Sequence, residues 1–461
     1  MLVLATLLTP GFAQEVSIPD QGLDAAIREA LQKPSEPLTE QDLLSLTNLN
    51  AGSRNISGIV GLEFARNLVS LNLQRNRLTT LSVPAEFTNL TTLDVSFNLL
   101  TNFSVSGVPS NLTTLNLADN QLLDLILPGN FNRLASLNLE DNGLSVFKPA
   151  SNMTSLVVLD IGFNAITNCV LPDGLTNLTT LIVAGNLLTN FNLPADLARL
   201  TSLDLHINAL GSFTLPISLP TLTNLDLDEN ELSGFSLPSG MTNLVELDIS
   251  FNQLTNLSLP ADLVDLADLD LDFNQFSRLN LPASLNHLSD LHLRANQFTN
   301  FTLGADLGAL TYLDISECPL SHLELPTNLN HLATLRLSKN NLASLVLPVG
   351  MTNLIGLNLS ENQLTNLVLP PDLFRLQSLN LGGNELANLT LPPGMTNLAG
   401  FFVTGNNLST LTLPPDMTKV TAFGFLANPL TTLVLPDPLA VTLADTIATL
   451  RSQGVSVFTY H

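Results

Sequence analysis

The stretch "DLADLDLDFNQ" at residues 265–275 holds Asp265, Asp268, Asp270 and Asp272, the last three in alternation. An EF-hand calcium loop begins this way, because oxygens at every second position can close on one cation. The pattern fails where such a loop must finish. Phe273 stands at the place of the turn glycine and Leu279 at the place of the closing glutamate. A strand accounts for the alternation more simply, since every second side chain of a strand shares a face. Asp268, Asp270 and Asp272 then line one outward face, and Leu269 and Leu271 point inward. The chain has no P-loop, G-x-S-x-G elbow, H-E-x-x-H helix or C-x-x-C pair, so no enzyme activity, cofactor or dedicated metal site is expected.

The elements that position these carboxylates show in the rest of the chain. Asn recurs every 22 residues at 76, 98, 120, 142, 164, 186, 208, 230, 252, 274 and 296, gives way to Cys318, and resumes at 340, 362, 384, 406 and 428. Around each lies the frame L-x-x-L-x-L-x-x-N-x-L, as in "NLTTLDVSFNLL" (89–100) and "NLVELDISFNQL" (243–254). A degenerate unit precedes them, with Leu46, Leu49, Ala51, Ile56 and Ile59 in phase and Arg54 in place of Asn. A fixed period of this length signals a solenoid, in which each unit buries its apolar face only against its neighbours. Pro fills one register of the second half-repeat in fourteen of seventeen units, from Pro84 to Pro436. That residue and the short unit leave no room for a long helix behind the sheet, so extended segments and turns are expected there.

On these motifs the chain resembles leucine-rich-repeat proteins over residues 46–436, and its 22-residue unit is most similar to internalins and other secreted bacterial members. The resemblance implies an α/β-type solenoid: a right-handed superhelix with a concave parallel sheet, an extended convex side and small helical caps. It also implies that the repeated Asn bonds to backbone groups, and that Cys318 is a scaffold substitution in the same register. Residues 14–45 read as a helical cap of the internalin kind, with Thr39 and Asp42 arranged as a capping box. Residues 437–461 read as a closing cap, in which one helix begins at Asp437–Pro438, stops at Gly454 and is followed by a strand. Residues 1–13, apolar and ending Gly11-Phe12-Ala13, read as a signal peptide, so a secreted or cell-surface location is expected. Cys169 and Cys318 fall almost seven repeats apart, too far to form a disulfide.

Composition limits the partners. The chain has 461 residues, only 12% of them charged, and a formal net charge of −24. Nucleic acids and anionic membranes reward Lys and Arg clusters, so neither is an expected partner. No run after the N-terminal stretch approaches the ~18 apolar residues of a membrane span.

Binding residues of a solenoid sit in columns that vary while the frame stays fixed. The central outward column reads Asp204, Asp226, Asp248, Asp270, His292, Asp314 and Arg336, and flanking columns add Asp228, Glu246, Asp268, Asp272, Asp290 and Arg294. Phe251 and Phe273 stand just before two successive ladder asparagines. Asp272 is expected to face Arg294, and Asp314 to face Arg336. The expected partner surface is therefore Asp226, Asp228, Glu246, Asp248, Phe251, Asp268, Asp270, Asp272, Phe273, His292, Arg294, Asp314 and Arg336. It would serve a monomeric, non-enzymatic binding or adhesion module that recognises a protein, or alternatively a glycan. A second reading is a structural surface or matrix component whose acidic face binds calcium.

Overall fold

The computed structural model describes residues 15–106, 110–127, 131–216 and 219–461. The segment read as a signal peptide lies outside them. Each leucine frame forms a three-residue strand with a buried middle residue and outward-facing flanks, as in Asp268–Asp270. The chain divides into two compact units, Met1–Leu210 and Gly211–His461. Each is a parallel-strand solenoid, and together they hold about 18 turns.

In the first unit, strands from Asn48–Asn50 to Ser202–Asp204 pair in parallel, one per turn. In the second, the run extends from Asn224–Asp226 to Ala422–Gly424. Leu247 pairs with Leu269, and Leu269 with Leu291, a constant offset of one repeat. These leucines are at most 1% exposed, and full burial of each favours folding by roughly 1.5–3 kcal/mol.

The ladder asparagines satisfy the backbone where the chain leaves the strand. The Asn274 amide donates to the carbonyls of Ile249, Leu271 and Asp272 at 2.9, 3.3 and 3.2 Å. Its oxygen accepts the Leu254 N–H at 2.9 Å. One buried side chain thus joins two successive turns at four points. Cys318 does the same work less well: its sulfur accepts the Asn296 N–H at 3.3 Å and donates to Leu293 and Ser316 at 3.5 and 3.6 Å.

A second structural ladder occupies the central outward column. Its Asp or Asn side chain accepts the backbone N–H two residues on, at 3.0 Å for Asp226, 2.9 Å for Asp248, 2.8 Å for Asp270, 3.1 Å for Asn358 and 3.0 Å for Asn380. Where this column holds Asp or Asn its oxygen caps the main chain, and Asn does so without charge.

Short parallel strand pairs replace helices behind the sheet, such as Thr80–Val83 with Asn102–Val105 and Asn300–Thr302 with His322–Glu324. His287 and His331 share a turn register, where each ring Nδ1 bonds to a carbonyl one turn earlier, at 2.8 and 3.0 Å. Helices Gln21–Leu31 and Glu40–Leu44 precede the first strand, and Thr39 and Asp42 form a reciprocal capping box on the second. Near the C-terminus the structure departs from the single expected helix. Asp437–Thr442 and Ala444–Ser452 are separate helices that meet at Leu443, and Pro438 is the second residue of the first rather than its opening one. The final strand Ser456–Tyr460 pairs with Thr432–Pro436.

Candidate binding face

All thirteen sequence-selected residues lie in the second unit. The sheet register sets Asp226 beside Asp248, Asp248 beside Asp270, Asp270 beside His292, His292 beside Asp314, and Asp314 beside Arg336. In the adjoining column Asn224, Glu246, Asp268 and Asp290 run in series. Parallel neighbours sit about 4.8 Å apart, so the carboxylates crowd. A shallow depression of about 200 Å³ opens among them, lined by Asp226, Glu246, Asp248, Asp268 and Asp270.

Crowding and partial burial disfavour the ionised form. Burial pushes Asp270 up to about 8, and the charges of Asp272, Asp248 and Asp268 add to the rise. Burial likewise pushes Asp272 up to about 6, against the opposing Arg294 N–H bond. Asp248 and Asp268 are raised for the same first reason. Asp228 accepts the Ser250 hydroxyl at 2.7 Å, and Glu246 accepts the Asn224 amide.

His292 breaks the acceptor ladder, since an imidazole here offers no oxygen to the N–H of Arg294. Asp272, one turn back, supplies it instead, accepting that N–H at 2.6 Å. Asp272 therefore meets Arg294 through the main chain, not through the guanidinium as the sequence suggests. The guanidinium reaches Glu317 at 3.0 Å, and Lys339 reaches the same carboxylate at 2.9 Å. The basic spot beyond the acidic array is thus largely neutralised from within. Arg336 does approach Asp314, at 4.0 Å, and lies over the Tyr312 ring at 5.5 Å.

Phe251 and Phe273 stack at 4.2 Å between centroids with a 14° tilt. Phe251 remains 46% exposed, and the Arg294 guanidinium lies 5.1 Å from the Phe273 ring. The column that holds them has left-handed backbone, with φ of 46° and 52°. Glu317 and Lys339 occupy the same column further along, at φ of 60° and 53°. Sequence reasoning missed Tyr312 and Glu317. Tyr312 stacks on His292 at 4.7 Å and donates its hydroxyl to Asp314 at 3.3 Å. Its signal was available: one of only two tyrosines stands in a strand column. Glu317 could be found as the residue preceding the ladder position, as Phe251 and Phe273 are.

Stacked parallel turns stapled by asparagine define a solenoid repeat protein, a binding scaffold rather than a typical enzyme fold. The description "BspA type Leucine rich repeat region" matches residues 272–381 and 358–446, "Leucine Rich repeats" matches 66–107, and "Leucine Rich Repeat" matches 111–134. The chain belongs to the leucine-rich-repeat proteins, and its build is internalin-like. No curated protein sequence matches it. Among solved structures, the functional domain of InlJ from Listeria monocytogenes is 24% identical with a TM-score of 0.66, covering 87% of this chain and 83% of that one. An internalin, InlF, from the same species is 25% identical with a TM-score of 0.56, covering 80% and 96%. The Arabidopsis receptor kinase HAESA, in complex with the peptide hormone IDA and the co-receptor SERK1, is 27% identical with a TM-score of 0.65, covering 90% and 74%. Among the described residues no helix is long and apolar enough to cross a membrane.

Proposed function

We propose that this chain is a non-enzymatic binding module, secreted or at a cell surface, that takes a cationic protein partner on the sheet face of its second unit. One observation carries the reading. Where the central column supplies an acceptor oxygen, Asn suffices at 358 and 380, yet Asp stands at 226, 248 and 270 in succession. The ionisable carboxyl is surplus to the fold, and at Asp248 and Asp270 its ionisation opposes burial. A local cost kept in register across successive turns fits a functional surface. The partly exposed Phe251–Phe273 pair beside the carboxylates supplies the apolar anchor such surfaces use. HAESA, of similar fold, is seen with a peptide hormone and a protein co-receptor, which supports a polypeptide over a glycan.

Affinity capture tests this with the full chain. The partner retained by the wild type is expected to be lost from a variant carrying D226N, D248N, D270N, F251S and F273S. It should be kept by a control with D94N and D160N in the first unit. Equal capture by the five-fold variant would refute the site.

A further inference from the structure

We propose that Asp270, Asp272 and His292 together bind one divalent transition-metal ion of the zinc class. Each residue offers one ligand atom, and the three atoms lie within 4.8 Å of one another. Bonds of about 2.0–2.2 Å to one ion require these partly exposed side chains to close by at most about 0.8 Å each. The backbone already holds the carboxylates in place. Asp270 accepts the Asp272 N–H at 2.8 Å, and Asp272 accepts the Arg294 N–H at 2.6 Å, each through Oδ1. Each keeps its second oxygen for a ligand. Hydrogen bonds that orient a metal ligand in this way are part of a working site.

One neighbouring contact bears on the site. The His292 ring is positioned by stacking on Tyr312 at 4.7 Å, and among the described residues neither of its nitrogens has a hydrogen bond. Nearby, Asp268 Oδ1 is buried without a hydrogen-bond partner, 3.9 Å from His292 Nε2. Its charge partner is the His292 ring itself, so a cation held by His292 would place further positive charge beside it. The donor set chooses the metal. Calcium takes six to eight oxygens, whereas one imidazole and two carboxylates on one face match zinc-class ions with open positions for other ligands. No local spacing motif announces this trio, because its third member comes from the neighbouring strand, 20 residues after Asp272.

The inference is independent of the partner reading, and its test uses the metal alone. Chelator-stripped full-length protein is titrated with Zn²⁺ by calorimetry, comparing wild type, H292A, D272N and an H287A control from the turn register. Asn at 272 keeps the acceptor for the Arg294 N–H, so this variant preserves the local fold. Wild type and H287A are expected to share a Zn²⁺ binding event that is at least about tenfold weaker in H292A and D272N. Identical binding in all four proteins would overturn the proposal. So would a calcium titration that saturates the same event and is undiminished in H292A, because the histidine would then play no part. Loss of the Zn²⁺ event leaves partner capture free to succeed or fail on its own, so the two readings separate.

Discussion

Replacing Asp270 with Asn separates the charge of the acidic column from its structural work. Asn keeps an oxygen for the Asp272 N–H that Asp270 now accepts at 2.8 Å, and the chain itself uses Asn in this register at 358 and 380. The charge is what changes. Burial, with repulsion from Asp272, Asp248 and Asp268, lifts the carboxyl from an ordinary 3.8 to about 8. The folded state therefore holds the proton more tightly than the unfolded state does. Its advantage is complete below about pH 3.8 and is lost progressively as pH rises to about 8. Each pH step in that window costs about 1.4 kcal/mol, so the ceiling at pH 7 is about 4 kcal/mol. Solvent screening on this partly open face reduces the expected gain from D270N to about 2 kcal/mol. Urea unfolding followed by circular dichroism, with EDTA present, should show wild type and D270N equal near pH 4 and D270N more stable at pH 8. D270A should recover less, by about 1 kcal/mol, because the Asp272 N–H loses its acceptor. A D270N no more stable than wild type at pH 8, or a gain equal at both pH values, would refute the reasoning.

Two further predictions concern the ladder. N274A leaves three carbonyls and the Leu254 N–H without their shared partner, and should lower unfolding stability by about 2–4 kcal/mol; a loss under about 0.5 kcal/mol in urea melts would show that the staple is dispensable. C318N should stabilise by about 1 kcal/mol, replacing sulfur contacts of 3.5 and 3.6 Å with the amide geometry of the other turns, and a fall in the unfolding midpoint would contradict that.

The fold was legible because it is written sixteen times. Period, strand face, asparagine staple and the extended segments behind the sheet all follow from one frame, since a buried strand with a polar exit permits few alternatives. The face was legible only in part. Column arithmetic placed Asp248, Asp270, His292 and Asp314 side by side, because sheet register is set by sequence offset alone. It could not say where long side chains turn. Arg294 turns its guanidinium to Glu317, while its N–H takes Asp272, and the register of the columns does not decide which. The second helix near the C-terminus was missed for a similar reason: the break at Leu443 has no proline or glycine to mark it.

The central column also shows why frame and function are hard to separate in a repeat. Asp is common there for a reason unrelated to binding, namely the N–H two residues on, so a run of aspartates alone argues for little. The informative positions are the exceptions, which include Ile182, His292, Arg336 and Phe402, and His292 is the one inside the acidic run. His292 abandons the acceptor role, and the chain repairs the loss by bringing in Asp272 from the turn before. An Asn at 292 would offer the Arg294 N–H an acceptor from its own turn. Here a histidine departs from the frame inside the acidic run, and the imidazole, the Asp268 carboxylate 3.9 Å away and the stacked Tyr312 meet.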